Sequence, residues 1–198
     1  MNSTFDIVAA LRGLAEDLER NPAARIVELE VGSAASPEIL ARGRRSRNTP
    51  AELVELASRM DGFHLEWEPR NPGGSPPLWG GRVEVPTLER NLQGWTGYIT
   101  LEQMSSRGIR LPDVIPCEER EVCPCYIQGG FLGTWSFYSD VFQDRGLDLE
   151  TYFEAGIRNL FVRGWFRHVL ENGFGSVSPA ALRAREALGL QAAARGTP

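Results

Sequence analysis

From Thr49 to Glu68 the order of polar and apolar residues spells out a helix, a stop and a strand. Thr49 suits an N-cap, Pro50 suits the first helical position, and Glu52, three residues after the cap, completes a capping box. Leu53, Leu56, Ala57 and Met60 recur at helical spacing, which makes one face apolar. Asp61-Gly62 ends the helix, because glycine enters the left-handed region without a Cβ clash. Phe63, Leu65 and Trp67 then alternate with His64, Glu66 and Glu68, the pattern of a half-buried strand.

The same reading extends along the chain. Ser3 with Asp6 resembles a capping box, and Phe5, Val8, Leu11, Leu14, Ala15 and Leu18 form one stripe that Asn21-Pro22 stops. Val27, Leu29 and Val31 alternate with Glu28 and Glu30 as a strand ending at Gly32. Ser36-Pro37 opens a short helix to about Arg42. Pro69 to Gly81 is too rich in Pro and Gly for a helix or central strand and reads as a long surface loop. Trp79 within it is either folded back onto the core or held out for contact. The middle is β-rich: Val83 and Val85, Trp95 to Leu101, Val122 to Gln128 and Thr134 to Tyr138. A broad apolar face then runs from Asp148 to Glu171 as helix, with Gly156 and Gly164 marking close packing or a break. Ser178-Pro179 opens a last helix. Strands clustered between flanking helices predict an α+β fold, a twisted and mostly antiparallel sheet with helices packed on one side. No repeat and no convincing linker divides the 198 residues, so a single domain over 1–198 is expected.

Composition narrows the function classes. All 21 basic side chains are arginine, which excludes a lysine Schiff base, a P-loop lysine and a lysine general base. The bias accompanies abundant Ala, Gly and Pro and suggests a GC-rich bacterial coding background. A net charge of −5 speaks against a nucleic-acid footprint. Arg42, Arg44, Arg45 and Arg47 form the one basic run, expected in a loop between helices as a solvated face. No stretch approaches the roughly 18 apolar residues of a membrane span. The N-terminal residues are amphipathic and acidic rather than a basic region followed by an apolar one, and the three cysteines are an odd number, so a reducing cytoplasm is the expected setting.

The residues Thr49-Pro50-Ala51-Glu52-Leu53, Asp61-Gly62 and Phe63-His64-Leu65-Glu66-Trp67, with Leu149-Glu150-Thr151-Tyr152-Phe153-Glu154 and Gly156 later, resemble the SUKH superfamily. That group includes yeast cell-wall synthesis regulators and many bacterial immunity proteins of polymorphic toxin systems. The resemblance covers about residues 36–172 and leaves N- and C-terminal helical extensions outside it. It leaves the Pro/Gly loop and the Cys117–Cys125 region unplaced. It implies a protein-binding module rather than an enzyme, acting as a toxin–antitoxin-type immunity protein by stoichiometric association with a basic toxin domain. An acidic chain suits such a partner through steering. A regulatory or scaffolding interaction protein without a toxin partner is the alternative within the same class.

Enzymatic chemistry finds little support. The chain holds only His64 and His168, no Gly-x-Ser-x-Gly elbow, and a Gly129-Gly130-x-x-Gly133 run that lacks the lysine end of a phosphate loop. Cys117, Cys123 and Cys125 are one ligand short of a tetrahedral zinc site, and Pro124 argues for an edge or irregular strand there. His64, Glu66 and Glu68 share one strand face by period-two spacing and could share a metal or a proton, the basis of a metal-dependent enzyme reading. The same face is more simply the solvent side of a half-buried strand. The expectation is therefore no catalytic residues, no metal and no cofactor, with a partner-binding surface formed by His64, Glu66, Glu68 and Trp79.

Overall fold

The computed structural model describes residues 5–46, 49, 51–73, 78–93, 109–110, 123–127, 132–136 and 141–190, with the strands between 109 and 147 described by their backbone. The first apolar stripe becomes α1 (Ile7–Arg20), which buries Val8, Leu11, Leu14, Ala15 and Leu18. Its cap is Asp6, whose carboxylate accepts from the Ala9 amide at 3.1 Å. Strand β1 (Ala24–Val31) follows, then α2 (Pro37–Arg45), whose first turn is capped by the Ser36 hydroxyl. Helix α3 (Ala51–Arg59) carries the expected apolar face: Leu53, Leu56, Ala57 and, just beyond it, Met60 are buried. Gly62 turns the chain at φ +99° into β2 (Phe63–Pro69). There Phe63, Leu65 and Trp67 are buried while His64, Glu66 and Glu68 are half-buried. Strand β3 (Gly81–Val85) and α4 (Leu88–Gln93) come next.

Strands β1, β2 and β3 form one sheet in that order. A second sheet, β4 (Ile109–Arg110), β5 (Cys123–Ile127), β6 (Leu132–Ser136) and β7 (Val141–Leu147), is an antiparallel meander. Pro124 sits opposite Thr134 of β6 and lies beyond the short pairing of β5 with β4, which stops at Tyr126. The Trp95–Leu101 strand and Cys117 lie outside the described residues. With seven helices and these sheets among the described residues, the fold is α+β.

The chain divides into two compact units, one made of residues 1–29, 65–82 and 150–198, the other of 30–64 and 83–149. The first unit includes both terminal helices. Helix α7 (Pro179–Ala187) buries Ala181 and Ala184, Leu188 is buried just beyond it, and the Asn21 amide donates to the Leu188 carbonyl at 2.8 Å. In the second unit, Gly43 of α2 packs against Leu88 and Val54, whose methyls a Cβ there would meet at 3.0 and 3.1 Å. The Asp61 carboxylate accepts from the Leu88 amide at the start of α4. Burial raises the Asp61 pKa; the Leu88 hydrogen bond opposes the shift and the charge of Glu89 adds to it.

Two expectations are corrected. The helix expected from Asp148 to Glu171 is two helices, α5 (Leu149–Arg158) and α6 (Trp165–Asn172). Between them Leu160 and Phe161 adopt left-handed φ values of 54° and 48°, and Gly164 caps α6 at φ 78°. Gly156 marks close packing, since a Cβ there would lie 2.0 Å from the Phe161 ring. The basic run Arg42, Arg44 and Arg45 belongs to the last turn of α2 rather than to a loop, where arginine complements the helix C-terminus. Val27 and Val31 of β1, an end strand of its sheet, are 48% and 44% exposed.

Candidate functional site

The candidate surface is built around Trp67. Its indole is 2% exposed and donates to the Leu160 carbonyl at 3.0 Å, which ties β2 to the left-handed turn after α5. The returning chain passes hard against this point. A Cβ at Gly80 would lie 1.9 Å from the Trp67 carbonyl oxygen, and one at Gly81 would lie 2.1 Å from the Leu160 carbonyl oxygen. Two consecutive glycines are what permit that approach. They hold the backbone that follows Trp79 against Trp67 of β2 and Leu160.

Trp79 remains 48% exposed. The Arg163 guanidinium lies over its ring, 5.1 Å from the centroid. A cation–π contact of this exposed kind contributes about 0.5–1 kcal/mol and restrains the ring without covering it. Of the two roles open to this tryptophan, folding back or standing out, the geometry is the second.

The outward carboxylates of β2 are matched by arginines on the neighbouring strands. Arg25 of β1 donates from Nε to the Glu68 carboxylate at 2.8 Å and also from Nη2. Arg82 of β3 has its Nε 3.8 Å from Glu66. Each is an exposed or half-exposed pair, worth at most about 1 kcal/mol to stability. Their larger effect is on the field: the face that reads as acidic along β2 is a checkerboard of both signs once β1 and β3 flank it.

His64, Glu66 and Glu68 share the outward side of β2 as the alternation requires. Glu68, however, is turned to Arg25. The donors that approach one another are Glu28, His64 and Glu66, whose ligand atoms lie within 4.8 Å. Glu28 of β1 was not among the expected residues. No spacing within one strand could reveal it, because its position depends on which strand is the neighbour and in what register. Arg82 beside Glu66 supplies positive charge of the protein's own to this group. His168, the second histidine, is on α6 and shares a side-chain contact with Asn172 at 3.4 Å.

The chain matches no protein family, no curated protein and no solved structure. Its function is therefore argued from the surface itself. Among the described residues, no helix is long and apolar enough to cross a membrane.

Proposed function

We propose that this chain is a non-enzymatic protein-binding domain whose contact surface centres on Trp79 and the mixed-charge face of β2. One observation carries the reading: a large aromatic ring stands half out of the surface on a backbone held tightly against a buried tryptophan. Aromatic anchors on rigid supports, ringed by charged residues, are where binding energy concentrates in protein interfaces. Low conformational freedom at Trp79 reduces the entropy lost on association. The Glu68–Arg25 and Glu66–Arg82 pairs along β2 offer donors and acceptors in fixed places, which suits recognition of one partner over its relatives.

Toxin immunity by stoichiometric association in a bacterial cytoplasm is the specific role proposed, and it rests on the SUKH resemblance of residues 49–67 rather than on the surface. The alternating charges remove the simplest argument for a basic partner. Complementarity to a face carrying both signs replaces it. Co-purification from the native host, followed by an affinity measurement with the captured partner, tests the surface. Trp79→Ala should weaken binding by at least about tenfold, the scale of an aromatic hot spot. An unchanged affinity for the variant would sink the surface proposal. Survival of cells that express the product of the neighbouring gene, with and without this chain, tests the immunity role separately.

A further inference from the structure

In the second unit, helices α2 and α3 border a cleft of about 310 Å³ lined by Arg44, Thr49, Ala51, Val54, Glu55 and Ser58. Four of these are on one face of α3, at the three- and four-residue spacing that aligns side chains along a helix. Val54 forms an apolar floor at 5% exposure, and Gly43 behind it admits the close contact with its Cγ2. Arg44, from the last turn of α2, offers donors only. Further along α3 stands Glu55, with acceptors only. No hydrogen bond or ion pair engages either charged head among the described residues, so the two opposite charges line one cleft without meeting. The Ser58 hydroxyl gives its proton to the Glu55 carbonyl at 2.7 Å, so what remains to it is acceptor capacity. Thr49 contributes a second hydroxyl.

We infer that this cleft binds a small zwitterion of amino-acid or dipeptide size, a use distinct from the protein-binding surface. The carboxylate of such a ligand meets Arg44 with Thr49. Its ammonium meets Glu55 with the acceptor left on Ser58, and its apolar frame covers Val54 and Ala51. The volume lies at the small end of ligand pockets, which suits a ligand of this size. An anion alone would leave Glu55 facing it, and a cation alone would leave Arg44 facing it. A molecule carrying both charges satisfies both.

The test is a methyl and amide NMR titration of the full chain with L-leucine and, separately, with glycyl-leucine, both at millimolar concentration. Saturable shifts at the Val54 methyls and the Glu55 amide are expected with at least one of them, and the tighter of the two assigns the size. 4-Methylpentanoate and isoamylamine, which keep the apolar frame but carry one charge each, should bind at least about tenfold more weakly, the effect of losing a charge-assisted hydrogen bond. Arg44→Gln and Glu55→Gln should each weaken zwitterion binding by a similar factor while the melting temperature holds, since both side chains are exposed. Absence of a saturable shift at Val54 with both zwitterions overturns the proposal. So does binding that the single-charge analogues reproduce, or that both variants leave intact.

Discussion

Replacing Asn159 with alanine tests whether the turn between α5 and α6 holds the C-terminal segment in place. Asn159 is one of two buried polar residues among those described, at 0% exposure. Its amide donates to the Ala155 carbonyl at 2.9 Å and the Ser176 carbonyl at 3.1 Å, and its oxygen accepts from the Ser178 amide at 2.7 Å. Ser178 in turn caps α7 through its hydroxyl to the Ala181 amide at 3.1 Å. In the alanine variant the Ala155 carbonyl keeps the backbone amide of residue 159, so nothing is lost there. The Ser178 amide becomes a buried donor without an acceptor, which costs about 1–3 kcal/mol. The Ser176 carbonyl is part-buried and reachable by water, so it adds at most about 1 kcal/mol. A total of about 2–4 kcal/mol follows, with a small cavity included. Urea denaturation measures the loss, and amide exchange locates it at residues 178–185. A second variant separates polar pairing from packing. Asn159→Asp keeps the acceptor for Ser178 but places a buried carboxylate against two carbonyl oxygens. Its pKa in the folded state is raised by that environment, so stability should be highest at acid pH and fall as pH rises through that pKa. An Asn159→Ala protein within about 0.5 kcal/mol of the parent, or an Asn159→Asp protein with no such pH dependence, would refute the assignment.

Gly81→Ala forces a methyl to within 2.1 Å of the Leu160 oxygen and 2.4 Å of the Trp67 indole nitrogen; a loss above about 2 kcal/mol is expected by thermal or urea melt, because the obstacles are backbone and a buried ring. Trp79→Ala should leave stability within about 1 kcal/mol of the parent, since half the ring already faces water, while tryptophan fluorescence shifts toward that of the buried indoles. Asp61 behaves oppositely to most carboxylates. Its folded-state pKa is raised, so its contribution to stability is fully present below the unfolded pKa and declines as pH rises through the folded value. Asp61→Asn keeps an acceptor for the Leu88 amide and should remove that decline, seen as a flatter stability profile above about pH 4. Exchange of both partners, Arg25→Glu with Glu68→Arg, should restore the stability that either single change lowers, by about 1 kcal/mol or less, in a double-mutant cycle.

What the amino-acid order revealed of the fold depended on whether a feature is local. Phe63, Leu65 and Trp67 alternate because one strand has one buried face, and a period of two is written into five consecutive residues. Ser36 and Ser178 could be recognised as caps because the side chain and the amide it serves are three residues apart. The break at Asn159 is of the other kind. Ile157, Leu160, Phe161 and Trp165 continue an apolar pattern through the turn, because the turn returns them to the same core; periodicity alone does not distinguish that from an unbroken helix. Only Gly164, left-handed at φ 78°, carried a signal.

The candidate surface divides along the same line. That His64, Glu66 and Glu68 face outward follows from β2 alone. Their partners do not, because Arg25 is 43 residues from Glu68 along the chain and meets it through strand order. This changes what a charge-reversal experiment reads. Glu66→Arg with Glu68→Arg would set new arginines beside Arg82 and Arg25, so a loss of partner capture in that variant would mix altered complementarity with like-charge repulsion inside the sheet. Trp79→Ala creates no such repulsion, and its ring contact with Arg163 is worth too little to disturb the fold. The tryptophan, held by its neighbouring glycines rather than by its own burial, is therefore the residue at which binding can be separated from stability.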